Sequence, residues 1–167
     1  DDDELAEKFR WIRVHGQERK HHHPILGVNG RLDTIQAAAL FATFEIFPEE
    51  VEQRQAIGSQ YNSLLSKIDE PNMQLPHVAE QSTSVYAQYT ILSEDRDNIQ
   101  ARLKSSNIPS VAYYTVPLHL QPVFAGLNNK CGDFPVTEKV ADQCLSFPMS
   151  AYLRAEDQQA LVEAMQL

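Results

Sequence analysis

The sequence predicts an α/β domain in which helices alternate with short strands. Three observations predict it. Residues of one helical face recur at spacings of three and four through long segments, as in Val51, Arg54, Gly58, Tyr61, Leu65 and Ile68. The run from Val85 to Leu92 is rich in aromatic and β-branched residues, which suit a strand. Shorter runs of the same kind, Val111 to Tyr114 and Leu145 to Phe147, fall between further helical patterns.

Taken in order, Asp3 to Val14 places Leu5, Phe9 and Ile12 on one helical face, with acids in the first turn favouring the helix dipole. That helix should end near His15-Gly16, with Gly16 at the C′ position. A polar loop then runs from Gln17 to Gly30. A helix from Asp33 to Ile46 follows, and Pro48 should break or kink it, because proline removes a donor and restricts the residue before it. Pro48, Glu49 and Glu50 also suit a new helix start, continuing to Ile68. Gly58 inside that pattern weakens a helix by about 1 kcal/mol against alanine, so close packing is expected there. A connection over 71–76, the strand Val85–Leu92 and a helix from Asp95 to Ser105 come next. A strand over Val111–Tyr114, proline-rich loops, a helix from Thr137 to Cys144, the strand 145–147 and a helix from Glu156 to Met165 complete the chain.

Composition limits the function. With 167 residues, 43% hydrophobic and 22% charged, the chain is long enough for a real core. A net charge of −9 argues against a nucleic-acid partner, which needs a basic surface. No apolar run approaches membrane-spanning length, and the acidic opening Asp1-Asp2-Asp3-Glu4 is not a signal peptide. The chain lacks an initiator Met, so its true start is expected to lie elsewhere. Cys131 and Cys144 are expected as reduced thiols in a cytoplasmic protein. A metal site would have to lean on His15, His21, His22 and His23. Three consecutive histidines cannot all face one ion from a helix or strand, so no metal is expected.

The stretch that carries chemistry is Gly27-Val28-Asn29-Gly30-Arg31-Leu32-Asp33. Gly27 and Gly30 let a loop bend and approach a ligand closely. Asn29 offers an amide donor, and Arg31 a planar fork suited to phosphate or carboxylate. Asp33 is a good N-cap, with Gln36 three residues on. The same residues also fit an ordinary polar loop and helix start.

The ordered pattern His15-Gly16-Gln17, His22-His23 and LGVNGRLDTIQAA, followed by Ile46-Phe47-Pro48-Glu49-Glu50, Tyr114 and Pro117-Leu118-His119-Leu120-Gln121, resembles the DegT/DnrJ/EryC1/StrS sugar-nucleotide aminotransferases. The resemblance covers essentially the whole chain, but only the C-terminal part of that family's sequence. It implies the C-terminal region of a fold-type I aminotransferase, with a small domain of short antiparallel sheet and flanking helices. Residues 1–32 would close the large domain and carry a loop reaching a partner subunit, 33–68 would be long kinked connecting helices, and 69–167 the small domain. The implied cofactor is pyridoxal 5'-phosphate.

Transamination needs a lysine for the Schiff base, an acid on the pyridine nitrogen, a phosphate cup and a substrate clamp. In the family the lysine and acid lie upstream of the region matched. Lys8, Lys20, Lys67, Lys104, Lys130 and Lys139 do not stand in the family's lysine context, so no catalytic residue is expected in this chain. Asn29 matches the residue that reaches the partner's cofactor phosphate, and Arg31 the position that binds an anionic substrate group. Tyr114 and His119 match loops on the sugar-nucleotide side; as residues alone, they also fit a half-buried strand end and a loop histidine with a backbone partner. The wording is most similar to enzymes that aminate C3 of a UDP-linked 3-keto-hexuronic acid, with glutamate as donor, for bacterial surface polysaccharide. A homodimer is implied. The alternatives are a non-catalytic dimerisation or sugar-nucleotide-binding module, and a metal-binding protein built on the histidines.

Overall fold

The computed structural model describes residues 1–70 and 72–166. The chain divides into two compact units, 1–47 and 48–167, with the division inside one long helix.

The first unit holds helix α1 (Asp3–Ile12), the loop that follows, and the opening of helix α2 (Thr34–Leu65). Asp2 caps α1 by accepting from Leu5 N at 3.0 Å. The helix stops before the expected Val14, with Arg13 as its C-cap. Left-handed backbone falls at His15 (φ 66) and Gly16 (φ 70), and Gly16 N donates to Trp11 O at 2.8 Å, so Gly16 turns the chain without being the C′ residue. Asp33 caps α2 as the sequence predicts, accepting from Ile35 N at 2.9 Å and, through its carbonyl, from Ala37 N.

Pro48 does not end α2, which continues as one element to Leu65. A proline removes a single i→i−4 bond. Glu45, Glu49, Glu50, Glu52 and Gln53 around it are good helix formers, and Gln53 donates to Glu49 across one turn at 2.9 Å.

The second unit builds its core on a two-stranded antiparallel sheet, β1 (Tyr89–Leu92) against β2 (Cys144–Phe147), with Tyr89 opposite Phe147 and Leu92 opposite Cys144. Helices α3 (Arg96–Ser105), α4 (Pro135–Gln143) and α5 (Ala155–Met165) complete it. This matches the expected mixture of helices and short antiparallel sheet. The strands are shorter than the sequence suggests. Val85–Gln88 does not pair, because Tyr86 takes a positive φ of 42 and its N–H donates to Ser84 Oγ. Val111–Tyr114 is no strand either. Only Val111 bridges to Ser146, by backbone bonds of 2.8 and 3.1 Å, before the chain turns away. Of the expected connection over 71–76, Pro71 lies outside the described residues.

Leu65, Ile91, Ile99, Leu103, Leu161 and Met165 are fully buried. Tyr61 and Tyr89 join them with ring centroids 4.7 Å apart. Tyr61 reconciles its hydroxyl with burial by donating to Pro148 O at 3.0 Å. Burial pushes both phenols well above their ordinary pKa. Gln158, fully buried on α5, donates to Ile57 O at 3.0 Å and ties that helix to α2.

Candidate functional site

The loop after α1 is built as a narrow ribbon. Val28 N donates to Ile12 O at 2.8 Å, His15 N to Val28 O at 2.9 Å and Gly30 N to Arg13 O at 2.8 Å, with Val14 opposite Asn29. Neither Gly27 nor Gly30 has a left-handed φ; a side chain at Gly27 would collide with the backbone of His15 and Gly16. Gly27 is therefore required by close approach of two backbones. The ribbon's far arc is closed by the Arg19–His22 bridge, His22 Nδ1 against Glu18 at 2.9 Å, and His23 Nδ1 on His15 O at 3.0 Å.

This ribbon fixes the backbone of Asn29 and Gly30, and Arg31 follows at once. Arg31 Nε donates to Asn29 Oδ1 at 3.2 Å, and both residues are exposed. The contact turns the amide so that its oxygen is occupied and its NH2 donor remains available. It leaves the two Nη groups of Arg31, which make no ion pair among the described residues. An amide donor and a guanidinium fork side by side can receive an oxyanion. These residues thus fit the phosphate or carboxylate portion of a ligand.

Tyr114 and His119 lie in the second compact unit. Tyr114 is 75% exposed and meets Tyr113 edge to face at 5.5 Å. Both line an open cleft of about 400 Å³ with Pro117, Leu118 and Val140. His119 does not open onto this space. Its side chain is only 8% exposed, its ring packs on Phe134 at 4.7 Å, and Nε2 donates to Glu138 Oε1 at 2.9 Å. Glu138 stands outside the motifs that the sequence offers. A first-turn acid in α4, behind a Cys-Gly-Asp loop, was the available signal. Hydrogen bonding from Gly132 N, foremost, together with Cys131, His119 and Phe134 N, holds its carboxyl down to about 2. Cys131 is exposed and Cys144 buried, both as free thiols. No cluster of metal-binding side chains occurs among the described residues, His15 and His21–His23 included. Among the described residues, no helix is long and apolar enough to cross a membrane.

Residues 1–166 match the DegT/DnrJ/EryC1/StrS aminotransferase family. The chain belongs to that family. The family depends on pyridoxal phosphate. Among curated relatives, the chain is 45% identical over 162 residues to a pleiotropic regulatory protein of Geobacillus stearothermophilus, covering 97% of this chain and 44% of that one. It is 42% identical over 152 residues to a UDP-2-acetamido-2-deoxy-3-oxo-D-glucuronate aminotransferase of Pseudomonas aeruginosa, covering 91% and 41%. Among solved structures it superimposes with a TM-score of 0.86 on a family aminotransferase from Brucella abortus, at 37% identity over 99% of this chain and 43% of that chain. The chain thus spans less than half the length of the curated relatives it matches.

Proposed function

We propose that this chain is the C-terminal part of a cytoplasmic, homodimeric pyridoxal-phosphate aminotransferase. The enzyme moves an amino group from glutamate to C3 of a UDP-linked 3-keto-hexuronic acid, on a route to bacterial surface polysaccharide such as lipopolysaccharide. The observation that carries this reading is the Asn29–Arg31 pair, two exposed donors held 3.2 Å apart on a backbone-bonded ribbon. Asn29 would donate to the cofactor phosphate of the partner subunit. Arg31 would clamp the sugar carboxylate through its Nη groups, where a planar fork gives a bidentate pair. Tyr114 would line the sugar-nucleotide side, with His119 holding its loop from behind. When bound, the cofactor supplies the electron sink for transamination. The lysine that anchors it would come from sequence upstream of residues 1–32, which would themselves close the large domain. The substrate class is supported by the similarity to a UDP-2-acetamido-2-deoxy-3-oxo-D-glucuronate aminotransferase.

A second reading is a non-catalytic module for dimerisation or sugar-nucleotide binding. The similarity to a protein called regulatory, at 45% identity, favours keeping it. The two are separated by incubating the full-length protein with pyridoxal phosphate, glutamate and the UDP-linked 3-keto acid. The amino product, read by mass, is expected; no amination, with binding of the nucleotide retained, leaves the module. Mixing Arg31→Ala chains with chains lacking the Schiff-base lysine should restore one working site per heterodimer. Mixed dimers that stay dead would show that the loop serves its own subunit.

A further inference from the structure

Glu138 stands out among the charged side chains because four donors converge on it from two directions. Gly132 N lies 2.9 Å from both carboxylate oxygens, Phe134 N donates to Oε1 at 3.3 Å, Cys131 Sγ to Oε2 at 3.3 Å, and His119 Nε2 to Oε1 at 2.9 Å. Three of these donors belong to the loop entering α4. The fourth comes from the short 3-10 turn Leu118–Leu120, nineteen residues earlier. The ends of this arrangement are 8% and 19% exposed for the His119 and Glu138 side chains, so water competes little for the bond. A carboxylate can only accept, so Nε2 must carry the proton, and the imidazole is fixed in tautomer and in ring plane. The turn's backbone bonds are local, Leu120 N to Pro117 O and Gln121 N to Leu118 O.

We propose that Glu138 is the positioning residue for the cleft wall formed by Tyr113, Tyr114 and Leu118, acting through His119 to hold the 113–121 segment in the form that receives the sugar nucleotide. The assignment rests on the function proposed above. Glu138 is not among the residues that line the cleft. Its carboxylate joins the wall to the first turn of α4, whose Thr137 and Val140 form the opposite side of the same cleft. Both sides are thereby set by one group. Without it, the wall samples other positions and the apparent affinity falls with the fraction that remains competent.

The test uses Glu138→Gln in the full-length protein, which keeps an acceptor for Gly132 but removes the charge. Amide hydrogen exchange at 113–121 should speed up while the β1–β2 sheet stays unchanged. The dissociation constant for UDP-N-acetylglucosamine, used as probe and measured by calorimetry, should rise roughly tenfold, a loss of one charge-assisted bond. In the enzyme assay, KM for the keto sugar nucleotide should rise by a similar factor. The half-reaction with glutamate should keep its rate. Unchanged exchange, or unchanged probe binding with faster exchange, overturns the proposal. So does an equal loss in the glutamate half-reaction, which would mark Glu138 as a general support of the fold. If the wild-type protein binds the probe but aminates no keto sugar, the functional reading fails while exchange and probe binding still decide the role of Glu138. A wild-type protein that does not bind the probe overturns it.

Discussion

Gly58→Ala should destabilise the second unit, against the helix propensity of the residues concerned. Within a helix, alanine in place of glycine ordinarily stabilises by about 1 kcal/mol. Here a Cβ built on Gly58 falls against the face of the Tyr86 ring, 2.8 Å from Cζ and nearer still to Cδ2 and Cε2. The ring has little room to retreat. Tyr86 O accepts from Arg54 Nη1 at 3.0 Å, its N–H donates to Ser84 Oγ at 3.1 Å, and its ring lies 5.8 Å from that of Tyr89. Overpacking of this kind costs about 1–3 kcal/mol, so after the propensity gain a net loss of about 1 kcal/mol is expected. For a chain of this size that is a fall in Tm of about 2–4 °C. Urea unfolding followed by circular dichroism supplies the number. Pairing the change with Tyr86→Ala should recover the alanine's helical benefit, because the obstacle is gone. A Gly58→Ala protein more stable than the parent would refute the close-packing argument outright.

Two further outcomes follow from Glu138. Its folded pKa, about 2, lies below the ordinary carboxyl value of 4.5, so its contribution to stability is complete above pH 4.5 and is lost as pH falls through the folded value; acid titration of the unfolding midpoint should show that loss in the parent and not in Glu138→Gln. The hydrogen bond to Glu138, and then its charge, push the Cys131 thiol above its ordinary pKa, so iodoacetamide at pH 8 should alkylate Cys131 slowly, and faster in Glu138→Gln. A rate equal in the two proteins would contradict the contact.

Much of the helical framework was legible in the sequence, because α3 and α5 repeat apolar residues at helical spacing over a buried face, Ile99 and Leu103 in one and Leu161, Val162 and Met165 in the other. The capping role of Asp33 was legible for the same local reason, and the glycine at 58 signalled its own contact. The misread elements depend on partners remote in sequence. Val111 pairs with a single residue, Ser146, and no local pattern states how soon the chain will leave a sheet. Pro48 reads as a break or a kink, and α2 runs through it as one element. In the site, the residue types of Asn29 and Arg31 were plain, whereas their mutual contact and the backbone ribbon beneath them were not. His119 illustrates the limit most clearly. A loop histidine suggests a ligand, yet its neighbour in space is Glu138, and nothing at position 119 announces that.

The most direct test of the proposed function is the ratio of kcat/KM for a UDP-linked 3-keto-hexuronic acid to that for its neutral 3-keto counterpart, measured on the full-length enzyme before and after Arg31→Ala. Loss of a charge-assisted bidentate pair removes about 1.5–3 kcal/mol, so the acidic substrate should lose roughly ten- to a hundredfold in kcat/KM while the neutral one loses far less. Arg31→Lys should rescue poorly, since it keeps the charge without the fork. A collapse of the ratio toward one is the predicted result; equal losses on both sugars, leaving the ratio unchanged, would contradict the carboxylate clamp.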